Sequence, residues 1–366
     1  MPAKVARGMT AYFIVMMIIV GLGIFAPKQF RWPLRLAAFV GLLIFCGARI
    51  EVGPDWFSYI IYQNYLVSGL PDFGLLSEPS FTVISIASEQ FGWGIVGVNL
   101  ATAFMFLFGL FALAAKTPYP WSAIAVAFCY YIPALPMGII RQGAAVGTIF
   151  LLVAYLSRLR LWQRIALVVF AMTFHLSAVI MLPVILASME ISRWKRGLLA
   201  FLIGALPVAL GIDPLGYFAV YNDRYIEGTG GVVVETTAAN LHWLLVAAPA
   251  AWYLYMRKKL SFLGFNDEFL FASSIIAIGL AALLPVSSAA VTRLALYFSY
   301  LPIIVGGAAV AAYKTPITAF IIKVGILAGA TSLLVVWLTF AENSEQYKPY
   351  KNYLTETITK QKLYAD

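Results

Sequence analysis

Five short elements, far apart along the chain, hold most of the side chains able to do chemistry. The first is Arg49-Ile50-Glu51-Val52-Gly53-Pro54-Asp55-Trp56-Phe57-Ser58-Tyr59. Gly53-Pro54 makes a tight turn, and Asp55 stands where a helix starts, four residues before Tyr59 on the same face. The others are Glu78-Pro79, Ile140-Arg141-Gln142-Gly143, Phe174-His175-Leu176-Ser177 and Thr292-Arg293-Leu294. A carboxylate or an imidazole can take a proton, and an arginine stays charged and offers paired N–H groups to an anion. Each residue also has a structural reading. Asp55 suits a helix N-cap, Glu78-Pro79 a helix start, and an arginine at the end of an apolar run reaches back to water. His175 lies within an uncharged run, where an unpartnered imidazole is costly; we expect a functional role for it ahead of a hydrogen-bonded core one.

The elements that must position these residues are apolar. The chain has 366 residues, 62% of them hydrophobic and only 11% charged, with a mean hydropathy of +0.88. That is too little charge to coat a soluble globule of this size, so the expected solvent is lipid. Uncharged runs recur at 8–27, 94–115, 165–189, 236–256, 269–292, 294–313 and 324–341, most of them matching the roughly 20 residues that cross a bilayer. The first has no short apolar region ending in a small-residue cleavage site and reads as a retained span. The expected fold is all-α: a polytopic membrane helical bundle of about 10–12 transmembrane helices with an outward-facing cavity. It forms a single transmembrane domain over 1–366, with an outward loop at 49–93 and a second at 213–239. The first loop should carry short amphipathic helices, given Phe57, Tyr59, Ile60, Tyr62 and Tyr65 among polar neighbours.

Charge sets the orientation. With the N-terminus outside, Lys28, Arg31, Arg35, Lys116, Arg158, Arg160, Arg164, Arg257, Lys258, Lys259, Lys314 and Lys323 fall on the cytoplasmic side and the acidic loops face out. Lys4, Arg7 and the lysines of the C-terminal tail oppose this. Arg49, Arg141, Arg224 and Arg293 are the exceptions, in or beside outward loops. The parity of 165–212 stays open between a short hairpin and a re-entrant segment, and either makes it a cavity candidate. Trp32, Trp93, Trp121, Trp243 and Trp252 suit an interfacial belt. The net charge of +9 fits basic cytoplasmic loops and not nucleic acid, because no basic stripe with interleaved aromatics lies outside the spans.

Walker A, dinucleotide-binding, His-Glu-x-x-His and Cys-x-x-Cys motifs are all missing, so neither a nucleotide-driven pump nor a metal site is expected. The only histidines, His175 and His242, are far apart, and Cys46 and Cys129 read as packing residues.

Taken in order, these elements resemble the EpsG family of bacterial exopolysaccharide polymerases, related in role to the Wzy polymerases of O-antigen and capsule. The series is Arg49, Gly53, Asp55, Trp56 and Tyr59 after two spans, then Glu78-Pro79, Arg141-Gln142 opening a span, Phe174-His175-x-Ser177-Ala178, and a late Arg293. It runs from about residue 10 to residue 300. Pro54 occupies a position where the family often has Thr, which keeps the turn but removes a hydroxyl.

The resemblance implies a glycosyltransferase in the bacterial cytoplasmic (inner) membrane, with its active site facing the periplasm or outside. Such an enzyme moves a growing glycan from undecaprenyl diphosphate to the non-reducing end of an incoming lipid-linked repeat unit, without nucleotide or other cofactor. On that reading Arg141 and Arg293 take the leaving diphosphate, and Arg49 supports the acidic loop or the second lipid carrier. Asp55 is the first choice of base and His175 the second, the latter with an alternative role in hydrogen-bonding the diphosphate or acceptor. Glu78 contributes to sugar binding, Trp56 and Tyr59 stack on a pyranose, and Gln142 belongs to the substrate-binding set. Expected partners are the undecaprenyl diphosphate-linked oligosaccharide, membrane lipids and a chain-length regulator. The rivals are a glycan ligase or glycosyltransferase using the same class of lipid carrier, and a flippase for lipid-linked oligosaccharide. A flippase should show charged span interiors and repeats, whereas here the charges collect at one face and no repeat is visible.

Overall fold

The computed structural model describes residues 2–25, 32–67, 78–189, 237–284 and 288–354. The whole of 190–236, and with it most of the expected second outward loop, the Asp223–Glu227 region and the segment 198–212, lies outside the described residues, as does 68–77 with Asp72. The described chain is helical, and it forms two compact units. The first comprises Met1–Tyr155, Val169–Ala178 and Ile303–Asp366; the second comprises Leu156–Val168 and Val179–Pro302.

The first unit opens with α1 (Pro2–Phe25) and α2 (Trp32–Gly47), followed by two short helices, α3 (Trp56–Val67) and α4 (Pro79–Gln90). Next come α5 (Gly94–Ala114), α6 (Pro120–Ala134) and α7 (Ile140–Tyr155). Small residues let α5 and α7 touch backbone to backbone. A Cβ on Gly109 would strike the Gly147 carbonyl, and one on Gly147 would strike the backbone of Phe106. Without a hydrophobic drive between helices in lipid, such close contact supplies the packing. It also sets where Arg141, on the first turn of α7, comes to lie.

The runs read from sequence as spans divide into two kinds. Four helices among the described residues are long and apolar enough to cross a membrane: Gly8–Phe25, Gly94–Ala114, Ile140–Arg158 and Pro316–Phe340. The pair Ala290–Phe298 and Tyr300–Ala312, bent by 43°, makes a fifth if counted as one span. Other uncharged runs are interrupted. The run at 165–189 divides into α8 (Leu161–Met172) and a second segment, Leu176–Ala187, with His175 at the break. The run at 269–292 ends its α-helix at Gly279 and tightens into a 3-10 turn, Leu280–Leu283. Lack of charge marks these stretches as lipid-compatible without making them continuous helices.

The second unit contains α9 (Met181–Ala187), α10 (Thr237–Met256), α11 (Asp267–Gly279) and α12 (Ser288–Ala295). Asn266 caps α11 by accepting from the Phe269 N–H at 2.8 Å. The indole of Trp243 donates to the Ala277 carbonyl at 2.8 Å, and Tyr300 donates to Ser273 at 2.6 Å. Arg257 bridges Asp267 and Glu268 at the start of α11, each at 2.7 Å.

After α13 (Tyr300–Ala308), the long α14 (Pro316–Phe340) leads into a C-terminal segment that folds back over the first unit. Cys46 and Cys129 are free and buried, as packing residues should be.

Candidate functional site

The turn after α2 is built around Arg49. Its side chain is 1% exposed; Nε donates to the Val52 carbonyl at 2.9 Å and one terminal nitrogen to the Cys46 carbonyl at 2.6 Å. Arginine thus satisfies one of the carbonyls left open at the end of α2 and closes the turn behind it. Its guanidinium also lies 5.8 Å from the Trp56 ring.

Gly53 follows with φ 105°, and a Cβ there would strike the Met137 carbonyl. No other residue type fits that position without strain. The Gly53 turn is therefore pressed against the loop that leads into α7, where Gly138 faces the Tyr347 hydroxyl.

The C-terminal segment clasps the same turn. Gly53 N–H donates to the Gln346 carbonyl at 2.8 Å, Ile50 N–H to Lys351 at 3.1 Å, and Tyr353 N–H to Ala48 at 2.7 Å. Tyr350 stacks on Phe45 with ring centroids 4.5 Å apart, and Lys351 pairs with Glu51. In the sequence this stretch counted only through the lysines of its tail. Its signal was the aromatic load: Tyr347, Tyr350 and Tyr353 recur at every third residue among polar neighbours.

Immediately past the turn, half-buried Asp55 precedes the first residue of α3. Trp56 and Tyr59, 2% and 5% exposed, join Phe81, Ile95, Val98 and Ile140 in one apolar cluster. These two rings were expected against a sugar; their burial instead makes them the floor of the site. α3 and α4 are short helices within 49–93, as anticipated; Trp56, Tyr59 and Phe81 turn inward, whereas Phe57 and Tyr65 stay exposed.

On this floor Arg141 and Glu78 meet. The guanidinium sits 5.7 Å from the rings of both Tyr59 and Phe81, and one terminal nitrogen contacts the Glu78 carboxylate at 2.5 Å. Pro79 occupies the first turn of α4, which leaves Glu78 as the residue before the helix, its carboxylate turned to Arg141. The Arg141 side chain is 39% exposed and that of Glu78 only 12%, so the pair is anchored from below and open on the arginine side. Burial pushes the Tyr59 hydroxyl up to about 12; the Arg141 charge works against this and the Asp55 charge adds to it. Tyr59 thus stays a protonated donor, and Asp55 is close enough for its charge to act on that hydroxyl. Gln142, behind Arg141, is fully buried.

His175 is not in mid-helix as the uncharged run suggests. Thr173 bonds back to the Phe170 carbonyl at 2.6 Å and α8 ends, placing a half-buried His175 at a break where its Nδ1 lies 2.6 Å from Ser177 Oγ. The break is fastened to the start of α4: Ser80 and Thr173 share a hydroxyl contact of 2.7 Å, and Ser80 N–H donates to the Thr173 carbonyl at 3.1 Å. His175 is therefore held two residues from an anchor point that is itself two residues from Glu78. Ser80 and Thr173 were not singled out from sequence, and nothing in their local pattern marks them.

The first unit thus gathers Arg49, Asp55, Trp56, Tyr59, Glu78, Arg141 and Gln142, with His175 attached through α4. Arg293 belongs to the second unit, half-buried on α12. Among the described residues no three His, Cys, Asp or Glu side chains form a metal-binding group. What this arrangement offers is a cation fixed against the Glu78 carboxylate and the Tyr59 hydroxyl, with its side chain still 39% exposed.

Comparison with known proteins gives one family: the model of the EpsG family matches residues 32–352. That span begins at the first residue of α2 and ends at Asn352, so it takes in the C-terminal clasp. No curated protein and no solved structure matches the chain.

Proposed function

The chain belongs to the EpsG family, and from that premise we propose that it is a membrane-embedded exopolysaccharide polymerase working on lipid diphosphate-linked glycans. The donor is a growing glycan on undecaprenyl diphosphate, and the acceptor is the non-reducing-end sugar of an incoming lipid-linked repeat unit, met at the outer face of the cytoplasmic membrane. The acceptor hydroxyl oxygen attacks the anomeric carbon of the donor and forms the new glycosidic bond. The bond from that carbon to the diphosphate oxygen breaks, its electron pair leaving with the diphosphate. The hydroxyl proton passes to a base. The diphosphate linkage is already activated, so no nucleotide enters.

Two chemical needs follow: charge must be stabilised on the departing diphosphate and a proton must be taken from the acceptor. We assign the first to Arg141, with Arg293 as a second cation, and the second to Asp55, with His175 as the alternative base. Tyr59 is a donor toward the site, and Arg49, Trp56 and Gln142 position rather than react. The observation that carries this reading is the Arg141–Glu78 pair at 2.5 Å with the arginine side 39% exposed. A guanidinium held by Glu78 and the Tyr59 hydroxyl and still 39% exposed presents N–H groups in a rigid plane, the geometry that phosphate oxygens accept.

The test is complementation of a polymerase-null strain at matched protein level with Arg141→Ala, Arg293→Ala, Asp55→Asn and His175→Ala. The expected result for the arginine variants is a single-repeat product with intact lipid-linked precursor. Wild-type chain length from all four sinks the assignment.

A further inference from the structure

The opposite end of the first unit holds a pocket that glycan chemistry at Arg141 does not use. α5 starts beside the site, where Ile95 and Val98 join the floor under Arg141, and runs 21 residues to Ala114. At 1.5 Å per residue its far end is about 30 Å away. There Lys116 lies 4.8 Å from the ring of Tyr155, the last residue of α7. The chain turns at 117–119 into α6, and the Tyr119 N–H donates to Gly307 at 2.9 Å. α1 ends and α14 begins at this level, joined by Lys323, whose Nζ donates to the Ile24 carbonyl at 3.3 Å.

Between these ends lies a pocket of about 260 Å³ whose lining includes Gly23, Tyr119, Trp121, Ser122, Phe320 and Lys323. Three features define what fits it. Lys323 is the eighth residue of a 25-residue apolar helix, about 10 Å in from its start, deep enough that its ammonium must snorkel back to reach headgroups. Among the described residues no carboxylate pairs with it, and a cation at that depth calls for an anion. Ser122, also in the wall, is 1% exposed and its hydroxyl has no hydrogen-bond partner among the described residues. Beside the pocket, Ile317, Phe320 and Ile321 of α14 are 74%, 56% and 61% exposed, an apolar track next to the charge. Trp121, placed in an interfacial belt from sequence, is instead 4% exposed within the pocket wall.

We propose that this pocket binds one anionic phospholipid, with its phosphate at Lys323 and its acyl chains along the exposed face of α14, on the membrane face opposite Arg141. A free phosphate has the same charge but leaves the apolar track unused, and the depth of Lys323 favours the lipid.

Native mass spectrometry of the full chain in non-ionic detergent tests this, with phosphatidylglycerol, phosphatidylethanolamine and inorganic phosphate as the added probes. The wild type should retain one phosphatidylglycerol in preference to phosphatidylethanolamine. Lys323→Gln should weaken retention about five-fold, the size of one lysine's contribution at an anionic surface, and Lys323→Arg should keep most of it. Phe320→Glu, at a half-exposed position on the pocket rim, should weaken retention by charge repulsion even where Lys323→Gln fails to fold. Equal retention of both lipids, or retention unchanged in Lys323→Gln and Phe320→Glu, overturns the proposal. Displacement of phosphatidylglycerol by millimolar inorganic phosphate overturns the lipid as the occupant.

Discussion

Arg141 and Glu78 meet at 2.5 Å across 63 residues of sequence, on a floor formed by Tyr59 and Phe81. The contact ties the first turn of α7 to the start of α4, and the Ser80–Thr173 contact two residues further on ties α4 to the break that carries His175. One ion pair and one hydroxyl pair thus bring together three of the chain's five chemical elements.

The planar fork of Arg141, not its charge alone, is the feature asked to hold diphosphate. Arg141→Lys keeps the charge and loses the geometry, so polymer yield should fall at least ten-fold, about 1.4 kcal/mol or more in the transition state. Glu78→Gln should leave Arg141 charged but less well oriented and reduce yield by a smaller factor. Polymer length and yield from matched membranes measure both. Equal activity of Arg141→Lys and wild type means that the fork is not used.

Gly53 is held at φ 105° with the Met137 carbonyl where a Cβ would go. Gly53→Ala should therefore destabilise the protein by about 1–3 kcal/mol through backbone strain, and more if the loop before α7 has to move. Thermal unfolding in detergent reads the first effect. The second appears as lost polymerisation in the protein that remains folded, because Gly53 precedes Asp55 and Met137 precedes Arg141.

Arg49 is fully buried against two carbonyls. Arg49→Met keeps much of the volume and strands both acceptors, at a cost of about 1–3 kcal/mol for each carbonyl left unsatisfied. On the proposed reading, in which Arg49 positions and does not touch substrate, Arg49→Lys should rescue stability and activity together. Rescue of stability without activity indicates a direct role at the lipid carrier instead.

Part of the site's assembly was legible in the sequence because charge is scarce here. With 11% charged residues, arginines beside acidic loops stand out, and Arg49, Asp55, Glu78 and Arg141 proved to share one unit. What sequence did not reveal has particular causes. Trp56 and Tyr59 look alike as sugar platforms or as core, and only the neighbouring Phe81 and Ile140, far away in sequence, decide for core. The break at His175 depends on Thr173 finding Ser80, a contact 93 residues long that no local pattern encodes. The C-terminal clasp joins Gly53 to Gln346 through backbone groups, so the recurring Tyr347, Tyr350 and Tyr353 could signal that the segment packs but not where it docks. Uncharged runs report lipid compatibility, which is enough to read a membrane helical bundle, but the 3-10 turns that interrupt several of them leave no mark in composition.

Tyr59 gives a pH signature. Its folded pKa, pushed up to about 12 by burial, exceeds the unfolded value of about 10. Above pH 10 the unfolded chain therefore releases a proton that the folded chain keeps, and stability falls as pH rises from about 10 toward 12. The stability difference between wild type and Tyr59→Phe should be flat below pH 9 and shift against the wild type across that window. A difference that stays flat to pH 12 contradicts a buried, protonated Tyr59.

Reaction of the purified protein with purified lipid-linked repeat units, in detergent or vesicles and without nucleotide, tests the central claim most directly. The account predicts glycan chains of several repeats, release of undecaprenyl diphosphate, and loss of both in Arg141→Ala and Asp55→Asn. Movement of the lipid-linked unit across the vesicle membrane with no new glycosidic bond would contradict it.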